Sequence, residues 1–132
     1  EKESVDMVLT FRNLHNWLKA EILMDVFNKS YAALKPGGIF GVVEHRALAD
    51  SSLENMKKSG YVTEELTIEY AKKAGFILVA SSEINANPKD GTIHPKGVWT
   101  LPPSLRLGEE DRAKYLAIGE SDRMTLKFMK PI

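Results

Sequence analysis

The sequence predicts an α/β fold with a mostly parallel sheet, and three observations support this prediction. Short runs that are apolar on both faces, as expected for strands covered on both sides, begin at Val5, Ile39 and Phe76. Stretches with helical spacing of apolar residues separate these runs. The repeated order of strand, helix and strand favours right-handed crossovers and parallel pairing, and ligands of such sheets bind beyond the carboxyl ends of the strands.

The first predicted strand spans Val5–Thr10, and mainly polar or aromatic residues follow it directly. A helix is predicted over Leu18–Leu34 from the spacing of its apolar residues, and the run Pro36-Gly37-Gly38 ends it. The second strand is predicted over Ile39–Val43. Its carboxyl end carries three polar residues, Glu44, His45 and Arg46.

Two further helices and a third strand are predicted next, and the helices have recognisable caps or stops. They are a short helix from Ser51 or Ser52 to Lys58 that Gly60 ends, a helix from its cap Thr63 to Gly75, and a strand over Phe76–Ala80 whose extension to Ile84 is left open. The alternation of strand and helix therefore continues to this point.

The segment 85–122, called the insert below, interrupts the alternation and holds four of the six prolines. Long irregular segments in compact domains are usually functional, so we expect the insert to cover the carboxyl edge of the sheet with Trp99 largely buried. A short helix is predicted over Glu109–Ile118, closed by Gly119. The last strand is predicted over Arg123–Lys130 and is expected to lie antiparallel to the strand at Phe76–Ala80.

The composition restricts the function classes. Eighteen basic and eighteen acidic residues balance among 132, so no bulk charge favours nucleic acid or an anionic membrane. No apolar run approaches the roughly 20 residues that span a bilayer. The absence of cysteine excludes disulfides, thiolate metal sites and a cysteine nucleophile. The compartment, cytoplasmic or periplasmic, stays open, and we interpret Glu1 as an internal position of a longer protein.

The order of the motifs resembles the carboxyl-terminal half of class I S-adenosylmethionine-dependent methyltransferases. Asp6 in the first strand and the pair Leu14-His15 after it match the fourth strand of that family. The run from Leu34 to Gly38 matches the turn into the fifth strand, and Lys73-Ala74-Gly75-Phe76 matches the entry to the sixth. The resemblance implies a Rossmann-like methyltransferase sheet made of strands four to seven, with the last one antiparallel.

A closer resemblance is to bacterial proteins known as predicted methyltransferases. The shared runs are Arg12–Trp17, Glu44–Arg46, Asn85–Pro88 and His94–Trp99. The resemblance implies S-adenosylmethionine as the cofactor, yet the family's glycine-rich loop and ribose-binding acidic residue do not occur here. We therefore interpret residues 1–132 as a partial domain without the amino-terminal cofactor-binding half, and expect the chain alone to bind the cofactor weakly or not at all and to be inactive.

The site residues implied by the resemblance lie after the first two strands. Thr10, Phe11, Arg12 and Asn13 are the predicted cofactor-binding residues. His15, His45 and Glu44 are the predicted catalytic residues, because a neutral imidazole accepts a proton near pH 7 and a carboxylate orients it. The alternative role for either histidine is that of a helix cap or of a core residue whose hydrogen bonds are satisfied. Since neighbours on a strand point to opposite faces, only one of Glu44 and His45 is expected to face the site.

Four further residues are predicted to bind the substrate, and for each the alternative is packing or solvation. They are Arg46, His94, Trp99 and Arg106. No metal is predicted, because the histidines and Glu44 lack the close ligand spacing of metal sites.

Two functions of different classes follow. The first is methyl transfer from S-adenosylmethionine to a small or medium-sized molecule by the longer protein. The alternative is a non-catalytic half-domain for assembly or binding. In the family's sheet order Val5–Thr10 would be an unpaired edge, so we expect it to pair with the missing amino-terminal half or a second copy.

Overall fold

The computed structural model describes all residues from 1 to 132, and the elements alternate as predicted up to the insert. In chain order they are β1 (Val5–Phe11), α1 (Leu14–Lys19), α2 (Leu23–Ala33), β2 (Leu34–His45), α3 (Leu53–Ser59), α4 (Glu64–Ala74), β3 (Ile77–Ser82), a 3-10 helix (Gly97–Thr100), α5 (Arg112–Ile118) and β4 (Arg123–Met129).

The four strands form one sheet in the order β1-β2-β4-β3. β1 and β2 are parallel, with Thr10 opposite Val42, so their carboxyl ends lie side by side. β4 runs antiparallel to both of its neighbours, which confirms the predicted direction of the last strand. β1 lies at an edge of the sheet, as expected from the strand order.

One face of the sheet carries the helices and the main core. Residues from α1 to α4 and from the sheet form a single buried cluster around Phe40, which packs on Phe27, Phe76 and Phe128. The two crossover connections, from β1 to β2 and from β2 to β3, move in the same direction across the sheet. Right-handed connections of this kind place their helices on the same face, so α1 to α4 all lie here.

The opposite side, called the open face, has no helix over it. It presents a row of apolar residues that includes Met7, Leu9, Ile39, Val43 and Ala80. Met7, Leu9 and Phe11 are each 55% exposed. The prediction that these strands are covered on both sides is therefore wrong for the chain as it stands.

The helix expected over Leu18–Leu34 is two helices. Glu21 has a left-handed backbone with φ of 61° and separates α1 from α2. β2 begins at Leu34, so the predicted turn at 36–38 lies inside the strand, where Gly37 adopts φ of 84° and donates its N–H to the carbonyl of Lys130 at 2.7 Å. The expected caps of the next two helices are confirmed, because the Ser52 and Thr63 side chains accept N–H groups from the first turns of α3 and α4.

The insert has little regular structure and is held by polar contacts. Asp90 is buried and accepts hydrogen bonds from the Tyr61 hydroxyl at 2.7 Å, from His94 Nε2 at 2.8 Å, and from the N–H groups of Thr92 and Asp122. These bonds hold the pKa of Asp90 below its ordinary value against the opposing effect of burial. None of the helices combines the length and the apolar content that crossing a membrane requires.

Candidate functional site

The carboxyl ends of β1 and β2 bring together three buried side chains, His15, Glu44 and His45. α1 begins without a side-chain cap from Asn13, so its first N–H groups need another partner. Glu44 supplies it: the carboxylate accepts the backbone N–H of His15 at 3.0 Å and the imidazole Nδ1–H of His15 at 2.9 Å. It also accepts the N–H of His45 at 2.8 Å.

The contact with Glu44 decides the tautomer of His15. A carboxylate only accepts hydrogen bonds, so the imidazole proton is on Nδ1 and the lone pair on Nε2 is available. Thr10 Oγ1 is the one buried polar side-chain atom without a hydrogen-bond partner. His15 Nε2 makes no hydrogen bond within the chain, so it reaches solvent-accessible space. His15 is therefore arranged as a proton acceptor.

His45 has the opposite arrangement. Its Nδ1 lies 2.5 Å from Ser121 Oγ, and this oxygen already accepts the Nε–H of Arg123 at 3.2 Å. The chain offers the hydroxyl hydrogen of Ser121 no other acceptor, so it is donated to His45 Nδ1, which puts the imidazole proton on Nε2. Burial lowers the pKa of His45 to about 3, and the positive charge of Arg123, of Arg12 and of His15 when it is protonated adds to this effect. His45 is thus a neutral hydrogen-bond donor at physiological pH.

Glu44 and His45 leave opposite faces of β2, as expected for neighbours on a strand, and both have polar contacts at this end of the sheet. Glu44 belongs to the helix-covered face, and His45 is covered from the other side by the insert through Ser121 and Trp99. Potential metal-ligating atoms of His15, Glu44 and His45 lie within 4.8 Å of one another. The strand end therefore brings together side chains that leave opposite faces.

This cluster does not have the character of a metal site. Three N–H groups already occupy the carboxylate of Glu44, and Ser121 occupies Nδ1 of His45. Arg12 and Arg123 add positive charge close to His45, which disfavours a cation. Few donor atoms of this cluster are therefore free to bind a cation.

The residues predicted to bind the cofactor lie at the carboxyl end of β1. The buried hydroxyl of Thr10 lacks a partner, while Phe11, Arg12 and Asn13 are exposed beside it. These features suit one side of a bound ligand. No glycine lies between β1 and α1 or between β2 and α3, so the chain has no glycine-rich loop of the kind that follows a strand and opens a helix.

Two of the predicted substrate-binding residues lie beside the histidine cluster. The ring of Trp99 is partly buried against Tyr61 and Val98, and it lies edge-on to His15 with ring centroids 5.9 Å apart. The guanidinium of Arg106 lies 5.6 Å from the centroid of the Trp99 ring, on the exposed side. The insert therefore places an aromatic wall at the carboxyl end of the sheet.

Arg46 and His94, the other two residues predicted to bind the substrate, have a structural role instead, which corrects that prediction. Arg46 binds Asp122 through two N–H groups at 2.9 and 3.0 Å, and its Nη1 contacts Glu64 and Glu83 at 2.7 and 2.8 Å. These carboxylates raise the pKa of Arg46 further above its ordinary value. His94 is bound to Asp90. Arg46 and His94 thus hold the insert to the sheet.

Ser121 and Arg123 belong to the site but were not among the sequence-predicted residues. Arg123 lies opposite His45 in the β2–β4 register. Antiparallel pairing of the last strand with β2 would have identified it, but the sequence predicted pairing with β3 alone. The pairing of β4 with β2 is the feature that places Arg123 beside His45.

Comparison with solved structures identifies the fold. The chain matches the [4+2]-cyclase SpnF with a TM-score of 0.62 at 19% identity, covering 99% of this chain and 51% of that one. It matches an S-adenosylmethionine-dependent methyltransferase from Mesorhizobium loti with a TM-score of 0.55 at 13% identity, covering 98% and 63%. The Burkholderia thailandensis 1,6-didemethyltoxoflavin-N1-methyltransferase, solved with 1,6-didemethyltoxoflavin and S-adenosylhomocysteine, gives a TM-score of 0.58 at 13% identity, covering 100% and 46%.

These matches show a Rossmann-like methyltransferase fold, and the chain spans about half the length of the proteins it resembles. No protein-family model matches the sequence, and no curated protein matches it. The function must therefore be argued from the residues of the site, because fold alone does not determine function.

Proposed function

We propose that the chain is the carboxyl-terminal part of an S-adenosylmethionine-dependent methyltransferase that acts on a small or medium-sized molecule. The observation that carries this proposal is the pair His15–Glu44, which leaves an accepting Nε2 at the carboxyl end of the sheet. The partnerless hydroxyl of Thr10 and the exposed run Phe11–Asn13 adjoin it along the chain, on the side proposed to bind the cofactor.

In this proposal the chain's residues orient the substrate and remove a proton. The cofactor, when bound, supplies a methyl group on a sulfonium, and methyl transfer depends mainly on alignment in a dry site. His15 Nε2 accepts the proton of the substrate hydroxyl or amine while the lone pair of that substrate oxygen or nitrogen attacks the methyl group. Glu44 keeps His15 in the accepting tautomer and stabilises the resulting imidazolium, while Trp99 forms a wall beside the ring.

A methylation assay tests this proposal. The full-length protein that carries this chain is incubated with radiolabelled S-adenosylmethionine and a panel of small alcohols, amines and carboxylic acids. His15→Gln should lower the methylation rate by about 10²- to 10⁴-fold, the usual effect of removing a general base, and leave cofactor affinity unchanged. Failure to methylate any compound and to bind S-adenosylhomocysteine would reject the proposal.

We also propose that β1 is completed by another polypeptide segment, either the amino-terminal half of a longer protein or a second copy of the chain. Its backbone is unpaired on one side, and its apolar residues continue into the open face. Soluble proteins usually protect such edges. Light scattering at tens of micromolar should show dimers or aggregates of the 132-residue chain, whereas a stable monomer would contradict an interface at Val5–Thr10.

A further inference from the structure

A cavity of about 160 Å³ lies between the end of β2 and the insert. Its walls include Arg12, His45, Trp99, Pro102, Pro103 and Arg123. An apolar cavity of about 150 Å³ holds one benzene ring, so this space suits a single ring or a group of similar size. The ring of Trp99 and the prolines give it a flat, weakly polar side.

The charged residues that line this cavity are both arginines. No carboxylate is among the lining residues. Arg12 forms no ion pair within the chain, and its φ of 56° is a left-handed conformation that is unusual for a residue other than glycine. Arg123 has one distant partner, with Nη2 at 3.5 Å from Glu120. The positive charge of the cavity is therefore offset only in part, by Glu120 and by the nearby Asp90.

The polar groups around the cavity are mainly donors. Ser121 accepts from Arg123 and donates to His45, which leaves the Nε2–H of His45 without a hydrogen bond inside the chain. This N–H reaches solvent-accessible space, since it is not among the buried atoms that lack a partner. Arginine forks and a neutral N–H bind the oxygens of a carboxylate well, because the guanidinium is planar and donates in pairs.

We propose that this cavity binds the carboxylate of a small cyclic or aromatic acid, held by Arg12 and Arg123 with its ring against Trp99. The identification of this acid as the substrate rests on the proposed methyl transfer. The binding of the carboxylate itself does not, so the two are tested separately.

Calorimetry with benzoate and benzamide tests the inference, because these probes share a shape and differ in charge. The full-length protein that carries this chain should bind benzoate at least about tenfold more tightly than benzamide. Arg123→Gln and Arg12→Gln should each lower benzoate affinity about tenfold, as expected for the loss of a charged hydrogen bond. Arg112→Gln, which removes an exposed positive charge outside the cavity lining, is the matched control and should leave the affinity unchanged.

Three results would overturn the inference. They are equal affinity for benzoate and benzamide, the same loss in Arg112→Gln as in Arg123→Gln, and displacement of benzoate by S-adenosylhomocysteine, which would assign the cavity to the cofactor's own carboxylate. Thermal unfolding of each variant confirms that it is folded. Selective benzoate binding by a protein that neither methylates any compound nor binds S-adenosylhomocysteine would support the carboxylate site and reject the proposed function. Methyl transfer by a protein that does not prefer benzoate to benzamide would support the proposed function and reject the carboxylate site.

Discussion

His15 and His45 lie with ring centroids 5.2 Å apart at the same end of the sheet, yet their surroundings give them opposite roles. The partner of His15 Nδ1 is a carboxylate, so that nitrogen donates and Nε2 accepts. The partner of His45 Nδ1 is a hydroxyl whose hydrogen has no other acceptor within the chain, so that nitrogen accepts and Nε2 donates.

Residue type and position at a strand end therefore do not determine the chemical role of a histidine. One hydrogen-bond partner determines each tautomer. Burial and neighbouring positive charge keep His45 neutral, with its pKa lowered to about 3. Three experiments test this contrast.

The largest expected effect is that of Glu44→Gln on methyl transfer by the full-length protein. The variant removes the charge that holds His15 in its accepting tautomer, so the rate should fall by about 10²- to 10³-fold. The same substitution in a His15→Gln background should cost almost nothing more, because two residues that act as a unit are not additive. A further large loss in that background would mean that Glu44 acts through the fold and not through His15.

The second effect is a pH dependence of stability caused by His45. Its pKa is lower in the folded chain than in the unfolded one, so the unfolded state takes up the proton first and stability falls as the pH drops from about 6.5 towards 3. Between pH 7 and pH 5 this group should lower the free energy of unfolding by about 2 kcal/mol. Urea denaturation measures this loss, and His45→Gln should remove it. An equal loss in both proteins would show that His45 is not the group responsible.

The smallest effect is that of Ser121→Ala. It removes a hydroxyl that bonds both His45 and Arg123, so the free energy of unfolding should fall by about 1 kcal/mol. Nitrogen chemical shifts from NMR should place the proton of His45 on Nε2 and that of His15 on Nδ1 in the original chain. In the variant the preference of His45 should weaken while that of His15 remains. The same tautomer for both histidines in the original chain would contradict the contrast.

The sequence predicted those features that local chemistry decides. The caps at Ser52 and Thr63 and the stops at Gly60 and Gly75 are confirmed, since each depends on a few adjacent residues. The placement of His15, Glu44 and His45 at strand ends also follows from short apolar runs and their polar ends.

Features that depend on distant parts of the chain were not predicted. The break at Glu21 has no proline or glycine to signal it, although its φ is 61°. Arg46 donates hydrogen bonds to Asp122, which lies 76 positions later in the chain. Ser121 and Arg123 enter the site because β4 pairs with β2, a register that no local pattern indicates.

The position of β4 has a consequence for the order in which the chain folds. It follows the other three strands in the chain, yet it lies between β2 and β3. Until Arg123–Met129 has been synthesised, β2 and β3 have no neighbour to join them, so among these four strands only the parallel pair β1–β2 can form. The joining of β3 to the sheet must therefore wait for β4, and the contacts that join it are distant in sequence, which slows folding. During that delay the apolar side chains of Phe40 and Phe76 lack the Phe128 ring that covers them in the native core, so this part of the growing chain is most prone to aggregation just before β4 is made.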